Sequence, residues 1–320
     1  MEIMKKIIAV TLILALALFT FAACSGKEPT RLLMVTGGTA GTYYAYGGVI
    51  ATTLTNNLEN IEITAQTSGA SAANARAVNN GEAELGVIQN DVLYYAVHGI
   101  EIMADDGGMP WLRTIATLYP EVVQLVATQE CGARSVEDLR GLRVCVGDAG
   151  SGTEANARQV VEAYGLSFSD FRVENLSFAD AATAMQNGTI DAAFTTAGVP
   201  NPAITELSNA IDIVIIPIAG AQAASLMSDY GFYTTFTIGN DAYGVPGADT
   251  VAVLATLFCS EDLSEDLVYT ITKGLFDNQA ELATGHARGA ELTHSYAVRG
   301  AGVPFHPGAE KYFREVGAIS

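Results

Sequence analysis

The sequence predicts an α/β fold of two lobes, each a mostly parallel sheet flanked by helices, with two hinge strands joining them. Three observations carry this. One strand–turn–helix pattern is written twice, and strands that alternate with helices pair in parallel with helices on their faces. Two apolar runs, Val122 to Thr128 and Val251 to Phe258, stand where the chain would cross between lobes. The composition, 320 residues with 49% hydrophobic and 16% charged, is that of a folded globule and excludes a disordered polyanion.

The first copy opens with an apolar strand, Leu32 to Val35, then a turn of Gly37, Gly38, Thr39, Ala40, Gly41 and Thr42, then a helix from Tyr43. A second strand, Ile61 to Ala65, leads through Thr67, Ser68, Gly69, Ala70 and Ser71 into a helix ending near Val78. Asn79-Asn80-Gly81 stops that helix, because Gly and Asn tolerate the positive φ a helix end requires. The third strand, Glu84 to Ile88, runs into Gln89-Asn90-Asp91, and a helix follows over Val92 to His98.

About 110 residues further on the pattern returns. Arg143 to Val146 is a strand, Gly147 to Thr153 a glycine-rich turn, and Glu154 opens a helix. Phe171 to Leu176 is the next strand, and Ser177-Phe178-Ala179-Asp180 begins a helix that stops at Asn187-Gly188. Asp191 to Phe194 is the third strand, with Thr195-Thr196-Ala197-Gly198 after it. Val35…Gly41-Thr42 matches Val146…Gly152-Thr153, and Asn80-Gly81…Glu84 matches Asn187-Gly188…Asp191. The resulting division gives lobe 1 residues 31–124 and 250–320, and lobe 2 residues 125–249. Glu261 to Ala283 and Pro307 to Val316 read as helices closing lobe 1.

The N-terminus reads as an address. Lys5 and Lys6 precede an apolar run from Ile7 to Ala23, and the chain turns polar at Ser25. That describes a secretory signal peptide over residues 1–23, with a tether over 24–30. Phe21-Ala22-Ala23-Cys24 resembles a bacterial lipobox, so Cys24 is the expected lipidation site and the expected location is extracytoplasmic, lipid-anchored to the cell membrane. Outside the cytoplasm a disulfide is permitted, and Cys131 and Cys145 are the candidate pair, with buried free thiols as the alternative.

In open α/β sheets ligands bind beyond the carboxyl ends of the strands, so each lobe presents three loops at one rim and two facing rims form a cleft. Gly41-Thr42 and Gly152-Thr153 place backbone N–H groups and a hydroxyl at helix N-termini, where anions are favoured. Ser151-Gly152-Thr153-Glu154 is also a capping box, which would spend the serine oxygen inside the helix. Of the tyrosines after the first loop, Tyr43 is the best candidate to face the cleft. A formal charge of −19 excludes nucleic acid as a partner. It still permits a local anion site, because surface charge is screened over roughly 8 Å.

Catalysis has little support. The four histidines, His98, His286, His294 and His306, lie outside the rim loops, and His306 between Phe305 and Pro307 reads as a turn residue. Ala149-Gly150-Ser151-Gly152 lacks the first Gly of a nucleophile elbow. There is no P-loop lysine, no zinc-binding histidine spacing, and no cofactor or metal is expected.

Several stretches together resemble the TAXI family, the extracytoplasmic solute-binding proteins of TRAP transporters. They are Thr36 to Tyr44, Ile88 to Asp91 with Tyr94-Tyr95, Val146 to Arg158, Gly198-Val199-Pro200 and Pro304 to Ala309. The resemblance implies a type II periplasmic-binding-protein fold that closes on a small carboxylate-bearing solute, similar to glutamate, glutamine or a dicarboxylate. It also implies delivery to a TRAP membrane permease. The candidate ligand residues are Thr39, Gly41, Thr42, Tyr43, Ser68, Ser71, Gln89, Asp91, Ser151, Gly152, Thr153, Thr195 and Gly198. Rival readings are a binding protein of an ABC importer or of a membrane sensor, a surface scaffold with no ligand, and a secreted serine hydrolase acting through Ser151 or Ser68.

Overall fold

The computed structural model describes residues 28–320; the expected signal peptide, Cys24 and the start of the expected tether lie outside the described residues. Lobe 1 begins with β1 (Thr30–Val35), α1 (Thr42–Asn57), β2 (Ile61–Gln66), α2 (Ser71–Asn79), β3 (Leu85–Gln89) and α3 (Asn90–His98). The chain then enters β4 (Leu112–Thr128), a 17-residue strand. Beyond it stand β5 (Arg143–Cys145), α4 (Gly152–Ala163), β6 (Arg172–Glu174), α5 (Phe178–Gln186) and β7 (Ala192–Ala197). Next come α6 (Pro202–Ala210), β8 (Ile213–Ile216), α7 (Gly220–Tyr230) and β9 (Thr234–Thr237). β10 (Asp249–Ser260) returns to lobe 1, followed by α8 (Glu265–Asp277), α9 (Gln279–Gly285), α10 (His294–Ala297) and α11 (Pro307–Glu315).

The strands run in the order β2-β1-β3-β10-β4-β7-β5-β6, with β8 on β4 and β9 on β10. β1 pairs in parallel with β2 and β3, and β5 in parallel with β6 and β7. The two copies are therefore mirrored about β10 and β4, which are antiparallel to each other and to their neighbours. This is the duplicated pattern of the sequence carried into topology: two parallel units, each sealed on its inner side by a long antiparallel strand.

The cores divide along the same line. Lobe 1 buries Met34, Tyr46, Ile50, Leu54, Tyr119, Leu257 and Phe313 in one cluster, and Ile88, Val92, Met103 and Phe258 in another. Lobe 2 buries Val123, Val144, Val160, Phe194 and Val253, and on the opposite sheet face Val122, Met185, Ile204, Ile215 and Ala252. On β4 the allegiance changes between Tyr119 and Val122, and on β10 between Val253 and Ala255. Pro120 sits between them opposite Leu254, and the ladder slips in register between Ala255 and Thr256. Proline has no N–H to give the ladder, which places the weakest stretch of the two strands at the crossing.

Two expectations change. β4 is longer than the apolar run Val122 to Thr128, because Leu112 to Tyr119 is buried apart from half-buried Arg113, although Arg113, Thr114 and Thr117 interrupt its hydrophobicity. The closing helix expected over Glu261 to Ala283 is two: Ser264 caps α8 with its hydroxyl, and Asn278 leaves helical geometry at φ −111 before α9. Residues 200–249, unassigned from sequence, supply α6, β8, α7 and β9 to lobe 2.

Candidate functional site

The loops beyond β1, β2 and β3 face those beyond β5, β6 and β7 across a cavity of about 590 Å³, part of it open to solvent. Three helices of lobe 1 point their N-termini at it. Gly41, Ala70 and Gln89 are the N-caps of α1, α2 and α3; all three border the cavity, and none supplies a side-chain cap. Ala70 also holds φ 64, ψ −146, a strained conformation for a residue with a Cβ. An uncapped first turn leaves backbone N–H groups without partners, so α1 and α2 offer donors and positive potential to whatever the cavity holds, whereas in α3 the Val92 N–H is taken by Asp91 Oδ1 at 2.9 Å. In lobe 2, by contrast, Ser151 accepts from the Glu154 N–H at 3.2 Å and Ser177 from the Asp180 N–H at 3.2 Å. Glu154 closes back on the Gly150 N–H at 2.6 Å, one residue earlier than a capping box would. Ser151 thus keeps its hydroxyl hydrogen free while its oxygen serves the helix.

The cavity wall contains four buried polar atoms with no hydrogen-bond partner: Tyr43 Oη, Gln89 Oε1, Glu121 Oε1 and Thr196 Oγ1. Glu121 is 2% exposed, and burial pushes its carboxyl up to about 8. The hydroxyls of Tyr119 and Tyr43 ease its ionisation and the buried Asp91 opposes it. Tyr43 itself is raised well above the ordinary phenol range, first by burial and then by Glu121. Asp148 on the lobe 2 side is also raised, by burial and then by Asp180. No lysine or arginine is among the described residues that line the cavity. Arg76, near Gly150, is committed to Asp106 at 2.7 Å.

The lobes touch directly around this space. Gln89 Nε2 donates to Asn156 Oδ1 at 2.9 Å, and Asn156 Nδ2 donates to Asp91 Oδ2 at 3.0 Å and to Tyr233 Oη at 2.8 Å. Gln159 Nε2 reaches Tyr95 Oη at 3.1 Å. On the other flank the Gly198 N–H donates to Thr42 Oγ1 at 3.1 Å, and Asn201 Nδ2 to the Ala40 carbonyl at 3.0 Å. Gly152 packs so closely on Gln89 that a Cβ there would lie 1.7 Å from Oε1. The lobes are held in a closed arrangement by side chains, with the cavity between the two flanks.

Thr39, Gly41, Thr42, Tyr43, Ser71, Gln89, Ser151, Gly152 and Thr153 are brought together on the cavity wall. Four candidates are placed elsewhere. Ser68 bonds inside its own loop, to the Thr36 carbonyl and Asn74 Oδ1. Asp91 is fully buried in the contact with Asn156. Gly198 sits in the contact with Thr42, and Thr195 borders a separate small pocket with Val126 and Phe178. The wall residues not anticipated include Glu121, Asp148, Phe178 and Thr196.

The suggested Cys131–Cys145 bridge is not formed. Cys131 Sγ donates to the Thr128 carbonyl beyond the end of β4, whereas Cys145 is buried in β5 and turns toward the Leu176 carbonyl. The histidines have structural partners. His306 caps α11 through the Gly308 N–H, His286 stacks on Tyr46, His294 meets Tyr312 and His98 meets the Tyr94 carbonyl. Among the described residues no group of His, Cys, Asp and Glu is arranged to hold a metal ion, and no helix is long and apolar enough to cross a membrane.

A model of the NMT1-like family matches residues 34–317. Among solved structures, the alkanesulfonate-binding protein SsuA from Xanthomonas axonopodis pv. citri, bound to MOPS, superposes with a TM-score of 0.52 at 17% identity, covering 90% of this chain and 85% of that one. A putative L-cystine ABC transporter protein from Listeria monocytogenes gives 0.52 at 14% identity, covering 82% and 98%. A binding protein component of an ABC phosphonate transporter from Pseudomonas aeruginosa gives 0.52 at 12% identity, covering 82% and 79%. Likeness at these identities shows the fold: the two-lobed α/β architecture of type II periplasmic binding proteins.

Proposed function

The chain belongs to the NMT1-like family, and on that footing we propose that it is an extracytoplasmic solute-binding protein. It captures a small solute bearing a carboxylate or a similar oxyanion between its lobes and delivers it to a membrane importer. The observation that carries this reading is the convergence of three helix N-termini, those of α1, α2 and α3, the first two uncapped, on one cavity that the second lobe covers. Unsatisfied N–H groups at helix starts favour anions without any lysine or arginine. Binding drives closure only as far as the solute prefers the closed form, and residues that touch it from both lobes supply that preference. Lobe 1, residues 31–124 and 250–320, and lobe 2, residues 125–249, are the bodies that move.

An ABC importer is the partner favoured by the relatives, two of which are components of ABC transporters, one for L-cystine and one for phosphonate. A TRAP permease is the second reading. The stretches Thr36 to Tyr44 and Val146 to Arg158, which resemble the TAXI family, contribute the two loops that meet across the cavity. Uptake into cells or vesicles separates them: an ABC partner stops when ATP is depleted, a TRAP partner when the ion gradient collapses. Calorimetry of the purified protein with amino acids, dicarboxylates and sulfonates tests the capture step, and an absence of binding by all three classes would refute it. Anchoring through Cys24 is part of the same reading, and Cys24→Ser is expected to release the protein from membranes into the soluble fraction.

A further inference from the structure

The end of lobe 1 farthest from the cleft carries two large apolar side chains that no core cluster uses. β1 and β3 run toward the cleft, β10 runs back, and β4 starts beside the end of β10. The starts of β1 and β4 therefore share the outer end of the sheet. Met34, Leu85, Cys259 and Arg113 lie level across it. From that line Thr30 stands four residues further out and Trp111 two, about 13 and 7 Å at strand spacing. Only β3 and β10 separate β1 from β4, a width of about 14 Å.

Trp111, the only tryptophan of the chain, is 56% exposed, and Ile100, just past the end of α3, is 41% exposed. The Met109 N–H donates to the Ala96 carbonyl at 2.8 Å, which joins their two segments. Hydrogen bonds fix the backbone that presents the indole. Arg113 donates to the Pro110 carbonyl at 2.6 Å and to the Leu112 carbonyl at 2.8 Å. The Trp111 carbonyl accepts from the Glu261 N–H at 2.8 Å. A large apolar ring is thus held out in water by a firmly bonded frame.

The chain that leaves this end says what covers it. Six residues separate Thr30 from Cys24, and at full extension they reach at most about 20 Å. A lipid on Cys24 therefore keeps this end of lobe 1 beside the bilayer. We infer that Trp111 and Ile100 rest in the headgroup layer of the membrane to which the protein is anchored. This rests on the Cys24 anchoring reading above. Tryptophan suits that layer, where its ring is shielded and its N–H still finds a partner. Exposed Glu101 and Asp105 lie between the two in the chain, so the contact is shallow and made to lipid without net charge. Because β4 begins one residue after the indole, the contact steadies lobe 1 and leaves lobe 2 to swing.

With one tryptophan in the chain, intrinsic fluorescence reads this site alone. The protein, purified from membranes with its lipid, is reconstituted into phosphatidylcholine vesicles with or without bromine near the headgroup end of the acyl chains. Emission is expected to move to shorter wavelength, to lose most of its intensity in the brominated vesicles, and to become less accessible to aqueous iodide. Cys24→Ser protein mixed with the same vesicles should keep the emission of a hydrated indole. Vesicle-bound protein with unshifted emission, still fully quenched by iodide, overturns the inference and leaves the anchor standing. Protein that does not sediment with the vesicles overturns both. A shift seen in native membranes but not in pure lipid overturns the inference in favour of a protein partner at this end.

Discussion

Glu121 and Gly152 are the residues at which single substitutions are most informative. Folding raises the Glu121 carboxyl from its ordinary value near 4.5 to about 8. The native state thus holds a proton that the unfolded chain has lost, and stability falls as pH rises through that window. Glu121→Gln should stabilise the protein little at about pH 5 and by on the order of 5 kcal/mol at about pH 9, measured by denaturant titration. A pH-independent effect would contradict the assignment. At Gly152 the obstacle is steric, since a methyl group would collide with a Gln89 side chain already tied to Asn156. Gly152→Ala is expected to weaken solute binding by more than about tenfold, the equivalent of roughly 1.4 kcal/mol, while each lobe keeps its own core. Neither residue announces itself in sequence. Glu121 is one charge beside a proline in an apolar run, and only burial distinguishes it from a solvent-facing strand residue. Thr196 lies on the wall rather than Thr195 because strand side chains alternate. All six residues of β7 are buried, so no polarity pattern reveals which face is which.

Among the elements, the turns were the most legible part of the chain. Strand, glycine turn and helix recur at Gly41-Thr42 and Gly152-Thr153, and these loops do border one cavity. The short strands and closing helices were less so, since Asn278 interrupts the α8–α9 pattern without a glycine or proline to mark the break. Asn90 shows how an apparently ordinary turn residue can hold elements together. Its Oδ1 accepts from the Leu254 N–H at 3.0 Å and its Nδ2 donates to the Gly300 carbonyl at 3.1 Å, pinning the start of α3 to β10. Asn90→Ala should cost about 1–3 kcal/mol, because it strands a donor and an acceptor at the lobe crossing. Thermal or chemical unfolding would reveal it, and an unchanged midpoint would show that solvent replaces both bonds.

For the whole molecule, the duplicated pattern yields two mirrored parallel units and predicts the lobes, while the way they clasp each other could not be read. Asn156 looks like a helix-interior polar residue, yet it bonds Gln89 and Asp91 of one lobe and Tyr233 of the other. Such bonds join residues remote in sequence, and periodicity within one helix carries no trace of them. Asn156→Ala is expected to shift the solute-free protein toward an open form, raising its radius of gyration in small-angle scattering. It should also lower solute affinity on the order of tenfold, if each lost bond contributes about 1 kcal/mol. Identical scattering curves for the two proteins would argue that the lobes meet without help from this side chain.

β4 and β10 cross as bonded neighbours from Leu112–Ser260 to Val122–Ala252, with Pro120 and Glu121 facing Leu254 and Val253 beside the Val122 end. A two-stranded ribbon bends across its face at small cost and resists shear along its length, so the lobes are limited to swinging like covers about a spine. Glu121 belongs to that spine. Whatever end of a guest touches it moves least as the covers part, so that end is gripped earliest on arrival and surrendered last on departure.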